Sequence, residues 1–179
     1  MGFRLVSGVW LAICLSLQAS ADVVDAAPSG FHLRITHTVD ASADRLYDTL
    51  IDVAAWWDGN HSWFGSAEGF SLTPEAGGCL CETRDGRSAL HMTVSYVDPG
   101  HELHLSGGLG PLRTLGLTGQ MSFRLKAVSA TKTTLVHEYR VTGYSKDGLE
   151  GLADIVDRVQ QGQMKRLVAH AVARAKKVD

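Results

Sequence analysis

The chain has 179 residues, with 17 Lys and Arg against 19 Asp and Glu and a formal net charge of −2. That length suits one ordinary domain behind a short leader. Basic residues are scattered rather than gathered into a stripe, which excludes an electrostatic footprint for nucleic acid.

The N-terminus reads as an export signal. Arg4 supplies the positive charge, Leu5 to Leu17 the apolar run, and Ala19-Ser20-Ala21 the small residues of a cleavage site before Asp22. The run is too short to span a bilayer comfortably, since a membrane helix needs about 20 apolar residues. No stable membrane insertion is therefore expected after cleavage. A lipoprotein signal at Cys14 is disfavoured by bulky Ile13, and a buried N-terminal helix would not explain the order of the three features. The expected division is a signal peptide over 1–21, a small, acidic, Pro/Gly-containing flexible tail over 22–30, and one domain over 31–177.

Phe31 to Val39 alternates apolar and polar residues as a half-buried strand does. Asp40-Ala41-Ser42 turns the chain, with Ser42 as N-cap and Asp44 in the first turn of a helix carrying Leu46, Tyr47, Leu50 and Ile51. A short second helix covers Val53 to Trp57, and Asp58-Gly59-Asn60 ends it. Strands follow over Gly69 to Thr73, Cys79 to Arg84, Ser88 to Val97, His101 to Ser106, Leu117 to Val128 and Thr133 to Thr142. Asp85-Gly86 between two of them is a strong short hairpin signal. A long helix from Gly148 to Lys176 closes the chain. Asp147 and Glu150 suggest a capping box, and the basic residues Arg174 to Lys177 suit the helix end. Gly162 inside it would permit a bend or a close approach to the sheet. Its apolar stripe predicts Leu152, Ile155, Val159 and Leu167 among the most buried residues.

Consecutive turn-linked strands make an antiparallel meander, and one amphipathic helix laid across it makes a two-layer α+β fold. If the sheet curves around the helix, a space opens between them.

Several features together resemble a known superfamily. They are Val39-Asp40-Ala41-Ser42-Ala43-Asp44-Arg45-Leu46-Tyr47, Trp56-Trp57, Gly77-Gly78, Val97-Asp98-Pro99-Gly100-His101-Glu102-Leu103 and the final helix. Their order and spacing resemble the SRPBCC (START-like, birch-pollen-allergen-like) superfamily. They are most similar to its bacterial branch of polyketide cyclases and chaperone-ATPase-activator homologues. The resemblance implies a helix-grip fold: a curved antiparallel sheet around an internal cavity beneath the C-terminal helix. It implies lipid-like, polyketide, hormone-like or aromatic ligands, and no single reaction, because most members bind rather than catalyse. The export signal departs from the chaperone-activator members and argues against a cytosolic chaperone partner.

Four groups of residues could carry chemistry. Trp56, Trp57, His61, Trp63 and Phe64 fall within nine positions, and either line a cavity mouth or plug the junction of helices and sheet. Cys79 and Cys81 lie on one strand, with His61 and His91 within conceivable reach of a soft-metal site. Residues two apart in a strand sit roughly 6.6 Å from each other, at the outer edge of disulfide geometry. A bridge would need a bulge, and small packed thiols are the reading the spacing favours. A two-residue Asp85-Gly86 turn would set Cys81 opposite Leu90, with His91 opposite Leu80 on the other face; a three-residue loop would set Cys81 opposite His91. His137 and Tyr139 share a face with Leu135 and Val141, as polar handles on a ligand or as hydrogen-bonded core residues. Gly107 to Gly116 lacks the phosphate-loop ending, and reads as an apolar flap or as a crossover packed on the sheet. Glu82 and Asp85 read as ordinary hairpin residues.

The expected function is an exported protein binding a small hydrophobic ligand, with Trp57, His61, Trp63, Phe64, Leu112, His137 and Tyr139 as ligand-binding residues and with no cofactor or metal. The alternatives are a cyclase, dehydratase or hydrolase with His137 or His61 as base and Tyr139 as donor, or a metal-binding role for the cysteines.

Overall fold

The computed structural model describes residues 20–176. The expected export signal, 1–21, lies outside them as far as residue 19. The strands are β1 (Ser20–Ala27), β2 (Gly30–Val39), β3 (Phe70–Leu72), β4 (Cys79–Arg84), β5 (Arg87–Asp98), β6 (Glu102–Ser106), β7 (Thr118–Ser129) and β8 (Lys132–Thr142). The helices are α1 (Ala43–Ile51), α2 (Val53–Trp56), α3 (Pro111–Thr114) and α4 (Glu150–Ala175), with 3-10 turns at Gly59–His61 and Ala67–Gly69.

All eight strands form one antiparallel sheet in the order β1-β2-β8-β7-β6-β5-β4-β3. Strands β3 to β8 are the expected meander. The first long strand joins its far side beside β8, so α1 and α2 must carry the chain across the whole sheet from β2 to β3. Ser42 caps α1 as expected, its side chain accepting from Arg45 N.

Residues 22–27, expected to be a tail, instead belong to edge strand β1, which pairs with β2 from Ser20↔Thr36 to Ala27↔Gly30. The reason lies in Val23 and Val24, β-branched residues that suit a strand, and in the open edge of β2 that they cover.

The Asp85-Gly86 turn has two residues, both with positive φ (51° and 77°), between the paired Arg84 and Arg87. This is the arrangement a tight hairpin favours. Cys81 then faces Leu90, but Leu80 faces Met92, so His91 is an extra residue in β5. The bulge turns two successive side chains to one side. His91 and Met92 are both buried, where a regular strand would alternate.

The core gathers Leu33 and Ile35 of β2, Leu46 and Leu50 of α1, Leu103 and Leu105 of β6, Leu135 of β8, and Met164 and Leu167 of α4. Helix α4 covers the sheet with one continuous face, whose residues differ between its two halves. Its C-terminal half buries Met164, Leu167 and Ala171. Its N-terminal half turns Ala153, Asp157 and Gln160 inward, while Leu152 and Val159 are half-buried and Ile155 is 50% exposed. The expectation that the whole stripe is buried therefore holds at Leu167 and fails at Leu152, Val159 and Ile155, because the first turns span an open pocket.

Two further expectations about α4 are corrected. Its N-cap is Leu149, with no side-chain cap bond, and Asp147 pairs with Lys146, so the capping box does not form. A Cβ at Gly162 would meet nothing within 4 Å, so no close approach to the sheet requires glycine there.

Candidate functional site

A pocket of about 400 Å³ opens between the first turns of α4, the segment that follows α2, the α3 crossover and the inner face of the sheet. Trp57, His61, Trp63, Leu112 and Tyr139, five of the expected binding residues, line it. None of its lining residues is Lys, Arg, Asp or Glu. The apolar part of the α4 wall is made by Leu152, Ile155, Val156 and Val159, none of them fully buried.

The aromatic wall is held from below. Trp57 is buried; its indole Nε1 donates to His61 O at 3.1 Å and its ring leans on Phe70 at 5.2 Å. Asp58 caps the 3-10 turn that carries His61, accepting from Asn60 N. Arg166 of α4 donates to the carbonyl of Trp56 at 2.8 Å, tying this segment to the helix.

Glu82 is not an ordinary hairpin residue. It lies on the inner phase of β4 with Leu80, is fully buried, and organises the loop that carries Trp63. Its carboxylate accepts from Ser62 Oγ at 2.6 Å, Trp63 N at 3.0 Å, Phe64 N at 2.9 Å and His91 Nε2 at 3.1 Å. Burial alone would push its pKa up, but these bonds outweigh it and the net shift is downward. Glu82 is therefore ionised, and His91 must present its Nε2–H to it. The His91 ring stacks on Phe70 and lines the pocket, and Nδ1 has no partner among the described residues. Burial lowers the His91 pKa, opposed by Glu82, and the neutral ring keeps a lone pair on Nδ1. The pair can accept a hydrogen bond or a proton there.

Two expected residues do not reach the pocket. Phe64 lies outside it, its ring under the Arg87 guanidinium at 4.7 Å. His137 is sealed beneath Gln160 and stacks on Phe123 at 4.6 Å. Tyr139 lines the pocket with its ring, but its hydroxyl is engaged: it accepts from Leu109 N at 3.0 Å and points at Gly107 O, 3.5 Å away. Burial pushes its pKa up to about 12.

The glycine-rich segment is a packed crossover. Leu109, Leu112 and Leu117 are buried and only Leu115 stands out at the mouth. Gly108 is required, since a Cβ there would lie 2.4 Å from Leu117 O.

Cys79 and Cys81 form a disulfide, with Cα atoms 5.4 Å apart. This corrects the expectation of free packed thiols. The bulge opposite Leu80 and Cys81 is the irregularity such a bridge needs. The cysteines lie on the outer face, opposed by Ser71, Leu90 and Thr93, away from His91. A bridged pair offers no thiolate to a metal.

Sequence reasoning missed Glu82, His91 and Gln160. The signal for Glu82 was a charge in phase with Leu80. For His91 it was the two-residue turn, which already placed it on that face. Gln160 gave none beyond its place on the helix stripe.

No protein-family model matches the chain, and no curated protein matches it. Solved structures do. A Rhizobium loti protein superposes with a TM-score of 0.56 at 16% identity, covering 84% of this chain and 98% of its own. A Rhodobacter sphaeroides protein gives 0.54 at 17%, covering 86% and 99%. DynU16, a protein in the dynemicin biosynthetic locus, gives 0.52 at 17%, covering 78% of this chain and 46% of its own. At these identities the likeness is one of fold. It fits the α+β, helix-grip-like arrangement of a curved antiparallel sheet and a long C-terminal helix.

Proposed function

We propose that the protein binds a small, largely apolar molecule in the pocket beneath the first turns of α4. One observation carries the reading. Leu152, Val156 and Val159, apolar residues on a helix that packs tightly further along, are only half-buried and line the pocket. Apolar surface left against water costs roughly 25 cal/mol per Å², so a pocket walled this way gains from an apolar occupant. Its volume lies within the range of small-molecule sites. The aromatic rings of Trp57 and Trp63 give such an occupant flat surfaces to pack on.

The reading extends to the SRPBCC-like resemblance and to export. The disulfide supports an oxidising compartment, where such bonds persist. Among the described residues no helix is long and apolar enough to cross a membrane. After cell fractionation the protein should be recovered from the periplasm or culture medium with Asp22 as its first residue; recovery only from the cytoplasm, with Met1 intact, would remove the export proposal.

Binding itself is tested by thermal unfolding against a panel of neutral lipids and polycyclic aromatics. A true ligand at 100 times its Kd stabilises by about 2.7 kcal/mol. The expected result is a saturable rise in Tm for members of one chemical class. No shift from any member, at solubility-limited concentrations, would contradict the proposal.

A further inference from the structure

The pocket's polar equipment is sparse, and one part of it is fixed by a side chain the pocket never touches. Gln160 is buried, lines the pocket and contacts His137 behind it. His137 Nε2 lies 3.1 Å from the end of the Gln160 amide that carries Oε1 in the structure, and Nδ1 lies 3.3 Å from the carbonyl oxygen of Ser122. The other end of that amide makes no hydrogen bond among the described residues.

A neutral imidazole has one N–H and one lone pair. The Ser122 carbonyl can only accept, so Nδ1 must donate to it; a lone pair facing that oxygen would be repelled. Nε2 is then the acceptor, and the amide end facing it must be the –NH2. The two ends of an amide are nearly isosteric, and which is which follows from the hydrogen-bond network. A doubly protonated ring would satisfy both contacts in the other orientation. Complete burial works against that charge, and holds the His137 pKa down at about 4.

We propose that Gln160 faces the pocket with its amide oxygen, and that this oxygen receives a hydroxyl or N–H donor of a neutral ligand. This inference rests on the binding role proposed above and names the ligand chemistry. Among the buried side chains that line the pocket, His91 Nδ1 also has no partner among the described residues, and it too is an acceptor once Nε2–H is given to Glu82. With no cationic or anionic side chain on the wall, a carboxylate or ammonium would enter unpaired. The ligand selected is therefore an uncharged ring compound bearing a donor, as in a hydroxyarene. Its ether or ketone analogue would leave the oxygen of Gln160 unmatched.

The test pairs two probes of one shape, 2-naphthol and 2-methoxynaphthalene, displacing N-phenyl-1-naphthylamine from the purified protein near neutral pH. The naphthol should bind about five- to tenfold more tightly, the value of one net hydrogen bond. Gln160→Met should keep the ether's affinity and lose the preference. Because that variant could unfold, nitrogen NMR of His137 in the unaltered protein gives an independent readout, and should show the proton on Nδ1. Equal affinity for the two probes would overturn this inference while leaving the pocket reading intact. Displacement by neither while the fluorophore is bound would overturn this inference, and failure of the fluorophore itself to bind would overturn both. A proton on Nε2 would overturn the orientation of Gln160 whatever the probes do.

Discussion

Glu82 shows how one side chain links sheet, loop and pocket. A carboxylate on the inner face of a strand would be costly alone. Here Ser62, Trp63, Phe64 and His91 all donate to it, and the price of its burial fixes the loop that carries Trp63. Glu82→Gln would set an amide N–H against those donors. It should cost about 2–4 kcal/mol at pH 7, and change Trp63 fluorescence before global unfolding. Its lowered pKa gives the sign of the pH effect. The stabilisation is present above the ordinary carboxylate pKa and is lost as pH falls through the folded value. The gap between variant and wild type should therefore narrow in acid. A gap constant down to pH 3 would show that ionisation of Glu82 contributes nothing. His137 behaves differently. Its folded pKa of about 4 lies below the ordinary 6.5, so the unfolded chain takes up the proton first as pH falls. Stability present above about 6.5 should decline towards pH 4 by roughly 2–4 kcal/mol. In denaturant titrations at pH 7, 6 and 5, His137→Gln should be weaker at pH 7 and show a shallower decline. An unchanged slope would assign the acid sensitivity elsewhere.

Helix α4 divides into a half that holds the fold and a half that walls the pocket, and substitutions should report the division. Leu167 is fully buried, and Leu167→Ala should cost about 2–5 kcal/mol. Ile155 is half exposed at the mouth, and Ile155→Ala should change stability by no more than about 0.5 kcal/mol. Gly162 is exposed, helical and free of neighbours, so Gly162→Ala should stabilise by up to about 1 kcal/mol. Urea unfolding of the three variants checks all of this, and a large cost at Ile155 would mean that the pocket is closed in solution. The sequence revealed the helix and its period, because apolar spacing is a local property. It could not reveal which turns meet the sheet, because that depends on where the sheet curves away. The same contrast holds in the hairpin. Asp85-Gly86 set the turn and its register from local chemistry. The bulge at His91 comes from pairing across β4 and β5, and it brought His91 beside Glu82 and accompanied the Cys79–Cys81 bridge. Tail residues 22–27 became a strand for a similar reason: Val23 and Val24 suit a strand, but the open edge on β2 that they pair with is not a local property.

The whole molecule is a sheet whose inner face is covered at one end by packed helix and at the other by a pocket. The order of elements and the α+β class were legible from strand alternation, turn residues and the long final helix. The pocket was legible only as the space such an arrangement can leave. Of the residues expected to line it, Trp57, His61, Trp63, Leu112 and Tyr139 do, while the Phe64 ring lies against Arg87 and His137 is sealed beneath Gln160. Since α4 supplies Met164, Leu167 and Ala171 to the core, a chain ending at residue 147 should fail to fold rather than fold with an empty pocket. The most direct test of ligand binding is a titration with N-phenyl-1-naphthylamine, a neutral apolar fluorophore, alongside a variant with the pocket filled by Val156→Trp. The account predicts saturable binding of one fluorophore per chain, lost in the variant while its cooperative melting is retained. Non-saturable fluorescence, or equal binding by a folded Val156→Trp protein, would contradict it.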